Sequence, residues 1–305
     1  MLDMNADNEP VVDKDKSTIL PEPTSVPIPT RKGRGLLGWM PAVQAGAFLS
    51  GSRQDKEPDP SHLALANQAR EVVGQRAAGI DQSNAFFELP SELVTHLKAL
   101  EANPKSANIR AERGEPRLID LTKICAAQPV IYTEDAVRRV KGIQSDDLVA
   151  IAQMTMPIPI PRRMPIAFDP TRQVWIISSA NPNLRVAGNF SAEIENKRAF
   201  GFLIELATSY MQVAGLAGRY FLRDGYHRAY GLLASGITVV PGFVQEFQTF
   251  EEVGMPVGLL PQNAYLGEEP ARLTDYLDEA VSTEVDVPVT QKTIVIQALE
   301  VPTLS

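Results

Sequence analysis

The sequence predicts an α+β fold, a small mixed sheet with helices over residues 116–246, preceded by a helical arm at 61–115. Three observations carry this. Residues 220–245 run strand, tight turn, helix, strand within twenty-six positions. Residues 166–168 and 174–177 are apolar and β-branched and flank Asp169-Pro170-Thr171-Arg172, a hairpin signature. Residues 62–78 and 90–101 repeat apolar side chains at helical spacing.

In chain order, residues 1–60 are charged, aperiodic and broken by proline, so they are expected to form a disordered Pro-rich tail. Within them, residues 35–51 carry no charge after a basic run, yet they are shorter than a membrane span and interrupted by Pro41 and four glycines. They read as a docking segment or a weak interfacial contact. Ser61 is expected to cap the first arm helix and Ser91 the second. Residues 117–121 (RLIDL) read as a strand, Thr133 and Ser145 as caps of two short helices, and the proline-rich 157–165 as extended chain. The longest helical candidate is 192–217, with Phe200, Leu203, Ile204, Ala207 and Met211 on one face. Residues 247–305 form an acidic C-terminal extension with at most a short helix near 271–281 and a strand near 293–299.

Charge excludes some functions. The chain carries a net −8, divided as −2 over 1–60, +3 over 61–244 and −9 over 245–305. That balance opposes a non-specific DNA binder, and the mildly basic middle suits a compact anion better than a long polyanion. The single cysteine, Cys125, rules out an internal disulfide framework and fits a reducing, cytoplasmic setting, as does the lack of a signal-peptide pattern. No integral membrane segment is expected. Neither a P-loop nor a Rossmann glycine pattern is present, and His62 and His96 match no metal spacing.

The chemistry concentrates in Arg223-Asp224-Gly225-Tyr226-His227-Arg228. A helix starting directly after a strand presents unpaired amides and the positive end of its dipole, which favours an oxyanion. Asp224 is placed to cap that helix, and Gly225 removes a side chain where ligand and backbone would collide. Arg228 offers a guanidinium fork for phosphate, while His227 reads equally as a phosphate donor, an acid or a structural histidine. Asp224 likewise reads as a plain cap, a general base or a ligand of nucleotide-bound Mg²⁺. Two further clusters could line the same pocket: Arg162-Arg163, and residues 178–183 with Arg185. Glu205 is a candidate acid only if its helix faces that pocket.

This segment resembles the ParB/sulfiredoxin-like superfamily, with its DGxHR-type turn and a closing Val239-Val240-Pro241-Gly242-Phe243-Val244 run; Leu118-Ile119-Asp120-Leu121 resembles the family's opening strand. The resemblance implies that Gly225, Tyr226, His227 and Arg228 hold a nucleotide's phosphates, with Mg²⁺ accompanying the nucleotide. It also implies that Asp224 and His227 serve phosphoryl transfer or hydrolysis in catalytic branches. Tyr226 stands where sulfiredoxins carry their cysteine, and no helix-turn-helix pattern follows Val244, so sulfinic acid repair and DNA partition do not transfer. Two readings stay open. One is a nucleotide- or phosphate-binding domain; the other is a non-catalytic interaction protein that keeps the fold and recruits a protein partner through its N-terminal tail.

Overall fold

The computed structural model describes residues 28–51, 59–162, 164–256 and 258–297. In chain order the elements are β1 (Thr30–Gly35), α1 (Ala42–Leu49), α2 (Pro60–Gly74), β2 (Phe86–Phe87), α3 (Val94–Ala102), α4 (Ile109–Arg113), β3 (Glu115–Asp120), β4 (Val130–Tyr132), α5 (Thr133–Val140) and α6 (Leu148–Thr155). They continue with β5 (Ala167–Asp169), β6 (Val174–Ser179), β7 (Leu184–Ile194), β8 (Lys197–Leu206), β9 (Gln212–Leu216), β10 (Arg219–Asp224), α7 (Tyr226–Ala234), β11 (Val239–Glu246), α8 (Phe250–Val253), α9 (Asn263–Leu266), β12 (Thr283–Pro288) and β13 (Lys292–Gln297). The architecture is mixed α and β, with several small sheets.

The central sheet has the order β10-β9-β11-β3-β2. Its neighbours are antiparallel except β9 and β11, which run parallel because α7 crosses between the β9–β10 hairpin and β11. The sheet is buried on both faces: Ile119, Val213, Ala214, Phe221, Leu222 and Val240 belong to the same core cluster as α7's Ala229 and Leu232, and Gln212 is the buried polar exception on β9. Proline is tolerated at position 241, opposite Leu118, because its nitrogen lies on the β9 side, where the ladder begins only at Phe243, so no ladder amide is missing.

Gly231 lets α7 approach α5. A Cβ there would sit 2.6 Å from the Ala136 carbonyl oxygen and 2.9 Å from Val140 Cγ1. Alanine would gain about 1 kcal/mol of helix propensity, but overpacking against a backbone atom costs about 1–3 kcal/mol. Gly231→Ala is therefore expected to destabilise the protein by about 1 kcal/mol, read as a lower urea midpoint. An unchanged or higher midpoint would show that the helices part freely.

Three expectations need correction. The tail at 1–60 is ordered where the structure describes it at 28–51: β1 pairs with β12 and β4, and Leu36, Leu37, Trp39 and Met40 are buried in the main core. The uncharged stretch is thus core, not an interfacial contact; positions 1–27 and 52–58 lie outside the described residues. The acidic C-terminal extension supplies β12, β13 and the buried Tyr265 and Tyr276, so acidity on its outer face concealed an apolar inner one.

The third correction is the long helix at 192–217. That segment is instead the end of β7, all of β8 and β9. Glu195 and Asn196, with φ of 50° and 61°, make the two-residue turn that twists a hairpin shut. Phe200, Phe202, Ile204 and Leu206 alternate along β8, a period-two pattern hidden inside the i, i+3, i+4 matches.

Smaller shifts have local causes. Asp59, not Ser61, caps α2 by accepting from the Ser61 amide, and Asp147, not Ser145, caps α6. The arm helices α2 and α3 lie against the domain, burying Ala66, Ala69 and Val73 in one cluster and Leu100 in another. The hairpin β5–β6 forms as its turn signals, and β13 joins it on the far edge of β6.

Candidate functional site

The turn between β10 and α7 holds the backbone conformation that only glycine adopts easily. Gly225 has φ 104° and is the N-terminal boundary of α7, without a side-chain cap. A Cβ on it would meet Met211, with Sδ at 3.0 Å and Cα at 3.3 Å. The positive φ requires glycine here, and Met211, just ahead of β9, leaves little room for a side chain. Asp224 does not cap the helix. Its carboxylate accepts from the hydroxyl of Ser209, which lies 2.9 and 2.8 Å from the two oxygens.

Arg228 completes this cluster. It is 6% exposed, and burial pulls its guanidinium below the ordinary arginine range, opposed by the nearby Asp224 carboxylate. Nη1 donates to the carbonyls of Ser209 (2.8 Å) and Met154 (3.0 Å), and Nη2 donates to Ser209 Oγ at 2.6 Å. Buried Nε has no hydrogen-bond partner among the described residues. One serine hydroxyl therefore bridges a guanidinium and a carboxylate.

That bridge opens onto a cavity of about 410 Å³, lined by Arg139, Arg162 and Arg228 together with polar Asn181, Asn183 and Ser209. Gln153 and Thr208 add further polar groups, and Met154, Pro157, Ile158, Ile160 and Leu206 make an apolar wall. No carboxylate is among the lining residues. Arg139 and Arg162 are exposed and form no ion pair among the described residues, so three cations face one space. Such a site attracts a compact anion, and the apolar wall can take a flat or aliphatic portion of it.

The remaining turn residues point elsewhere. Tyr226 is 4% exposed; its hydroxyl accepts from the Ala127 amide at 2.9 Å and donates to the Leu222 carbonyl, and burial raises its pKa. It is a core anchor, not a ligand contact. His227 stacks on Tyr132 with ring centroids 5.3 Å apart, and its buried Nε2 has no partner among the described residues. Burial and the neighbouring Arg139 push its pKa down to about 4, so it is neutral near pH 7 and outside the cavity lining. Neither an acid role nor a phosphate contact fits that placement.

Of the outlying candidates, Arg162, Asn181 and Asn183 are brought to Arg228, while Arg163 lies outside the described residues. Asn181 Oδ1 accepts from the Asn183 amide at 3.0 Å, which fixes the loop rim. Arg185 pairs instead with Glu205 across β7 and β8 at 2.7 Å, so Glu205 is not an acid of this site. Arg223 is half-buried beside the Phe247 ring at 5.4 Å rather than solvated. Cys125 is fully buried and its thiol is pushed up to about 12 by burial, which makes it inert. His96 is buried on α3 with Nε2 2.9 Å from the Met156 carbonyl.

Sequence reasoning missed Ser209, Arg139, Gln153 and Thr208. Arg139 had a weak signal, a basic residue in the last turn of an amphipathic helix. Ser209 had none, since its role comes from lying just ahead of β9 beside the end of β10.

Among the described residues, no group of three His, Cys, Asp or Glu side chains is placed to hold a metal, and no helix is long and apolar enough to cross a membrane. No protein-family model, curated protein or solved structure matches this chain.

Proposed function

We propose that the chain binds a nucleotide or a phosphorylated small molecule in the cavity beside α7, and that the ParB/sulfiredoxin-like resemblance describes its central domain. The observation that carries the reading is the convergence of Arg139, Arg162 and Arg228 on one cavity of about 410 Å³ with no lining carboxylate. Three cations facing one cavity raise its positive potential and favour entry of a compact anion. The β9–β10 hairpin, the glycine turn, α7 and β11 follow one another as the resemblance implies, which supports it.

In this reading Arg139 and Arg162 contact the anion, and Arg228 holds the Ser209 hydroxyl toward it. Asparagines 181 and 183 offer amide donors and acceptors to the ligand's polar edge. A Mg²⁺ ion would arrive on the phosphates and neutralise part of their charge, with Asp224 as the carboxylate behind Ser209. Phosphoryl transfer or hydrolysis would draw on Asp224 as a base acting through Ser209; binding alone does not require it.

Thermal unfolding with ATP, CTP, GTP, ADP and inorganic phosphate, each with and without Mg²⁺, checks the proposal. A ligand at a hundred times its Kd adds about 2.7 kcal/mol of stability. The double variant Arg139→Gln/Arg162→Gln alters exposed side chains and is expected to weaken binding at least tenfold, about 1.4 kcal/mol. If no compound shifts the transition, or the double variant shifts equally, the reading is wrong.

A further inference from the structure

We propose that β8 is a dimerisation strand, pairing antiparallel with β8 of a second copy about a two-fold axis at Gly201. The ribbon of β7 and β8 is a separate two-stranded sheet, and both of its edges are open among the described residues. Two strands alone are marginal in water, and an open apolar edge is a template for another strand. This ribbon is strongly apolar on its exposed surface: Phe200 is 65% exposed, Ile194 58%, Leu203 55%, Val186 49%, Phe190 47% and Phe202 41%. A soluble monomer rarely presents such a patch without using it.

The choice of β8 and of a second copy follows from register and charge. β7 is bulged between Val186 and Gly188, which disrupts its outer ladder, whereas β8 is regular. The two-residue turn makes Ile194 and Lys197 a hydrogen-bonded pair, so Ala199, Gly201 and Leu203 bond inward to β7. Arg198, Phe200, Phe202 and Ile204 therefore turn their amides and carbonyls outward. A two-fold at Gly201 sets Phe200 opposite Phe202 of the second copy, so the outward groups of both strands face one another. The same register sets Ala199 opposite Leu203 and Lys197 opposite Glu205.

Lys197 has no ion pair among the described residues. Glu205 uses only Oε1 for Arg185, at 2.9 and 2.7 Å, which leaves Oε2 for that lysine. Strand pattern, aromatic pairs and charges are all self-complementary about one point, as an isologous contact requires.

Sedimentation of the full chain tests this, with a mass of twice 33.3 kDa expected and the monomer mass for Phe202→Lys. A second measurement fixes the register. In the double variant Ala199→Cys/Leu203→Cys the new thiols lie about 13 Å apart on one strand, too far to join within a chain. Across the two-fold they form non-hydrogen-bonded pairs about 4.5 Å apart at Cα, which suits a disulfide. Dissolved oxygen should then convert the double variant into a covalent dimer and leave each single variant uncrosslinked; Cys125, fully buried, does not compete. A monomeric wild type overturns the proposal, including one whose β8 amides are protected from exchange because another segment of the chain covers the edge. A dimer that neither Phe202→Lys dissociates nor the double cysteine crosslinks overturns it too, since another surface would then be responsible.

Discussion

Replacing Arg228 with methionine is expected to cost about 3–5 kcal/mol of stability and to abolish anion binding. The guanidinium is buried and holds three separate acceptors, the Met154 and Ser209 carbonyls and Ser209 Oγ. Methionine fills much of the volume but donates nothing, so both carbonyls and the Asp224 carboxylate lose their compensation together. Removing one partner of a buried charged cluster generally costs this much, because the uncompensated groups stay behind. The desolvation recovered by deleting the guanidinium offsets part of the loss without reversing it, since Asp224 remains half-buried. Arg228→Lys is expected to fall between the two, because an ammonium keeps the charge but cannot reproduce the fork. Urea unfolding measures both. A loss below about 1 kcal/mol for methionine would show that solvent already satisfies these acceptors.

The second large effect is expected from acid. His227 has a folded-state pKa of about 4 because burial and Arg139 disfavour its cation, with Arg31 and Arg228 adding to that and Asp135 opposing it. An unfolded histidine titrates near 6.5. Between those values the unfolded chain binds the proton and the folded one does not, so stability falls as pH drops through this window. At about 1.4 kcal/mol per pH unit, His227 alone should withdraw about 3 kcal/mol by pH 4 and nothing above pH 7. His227→Phe keeps a ring against Tyr132 and lacks the titration. The wild type should therefore lose about 3 kcal/mol more than this variant between pH 7 and pH 4, by urea unfolding at each pH. Parallel losses would place the histidine in contact with water.

The two variants also show why one motif read so differently at neighbouring positions. Consecutive helical residues diverge by about 100°, so Tyr226, His227 and Arg228 cannot all face one ligand with their side chains. Tyr226 points into the core, His227 toward Tyr132, and Arg228 toward the cavity. What was legible was local: a strand ending at a glycine, a helix with a buried stripe, and a strand after it. Arg162, Asn181 and Asn183 were also visible as candidates, but only folding joins them to Arg139, Ser209 and Arg228.

The longer errors have separate physical causes. Turn chemistry at Glu195-Asn196 uses positive φ without glycine, and apolar residues on β8 fit two periods at once. The ends of the chain looked like tails because of their charge, yet Arg31, Arg34 and Asp275 are largely buried and paired, and β1 and β12 pair with each other across the chain.

That mutual dependence has a consequence for biosynthesis. Lys32 of β1 reaches Asp286 of β12 across 254 positions, so β1 leaves the ribosome well before the strand that completes its outer pairing. At about 5–20 residues per second the delay is on the order of 13–50 seconds. During that interval β4 can protect one side of β1, as soon as Val130 to Tyr132 has emerged, while the other side stays bare. Emergence of β12, rather than collapse of the centre, sets when the sheet β12-β1-β4 can close.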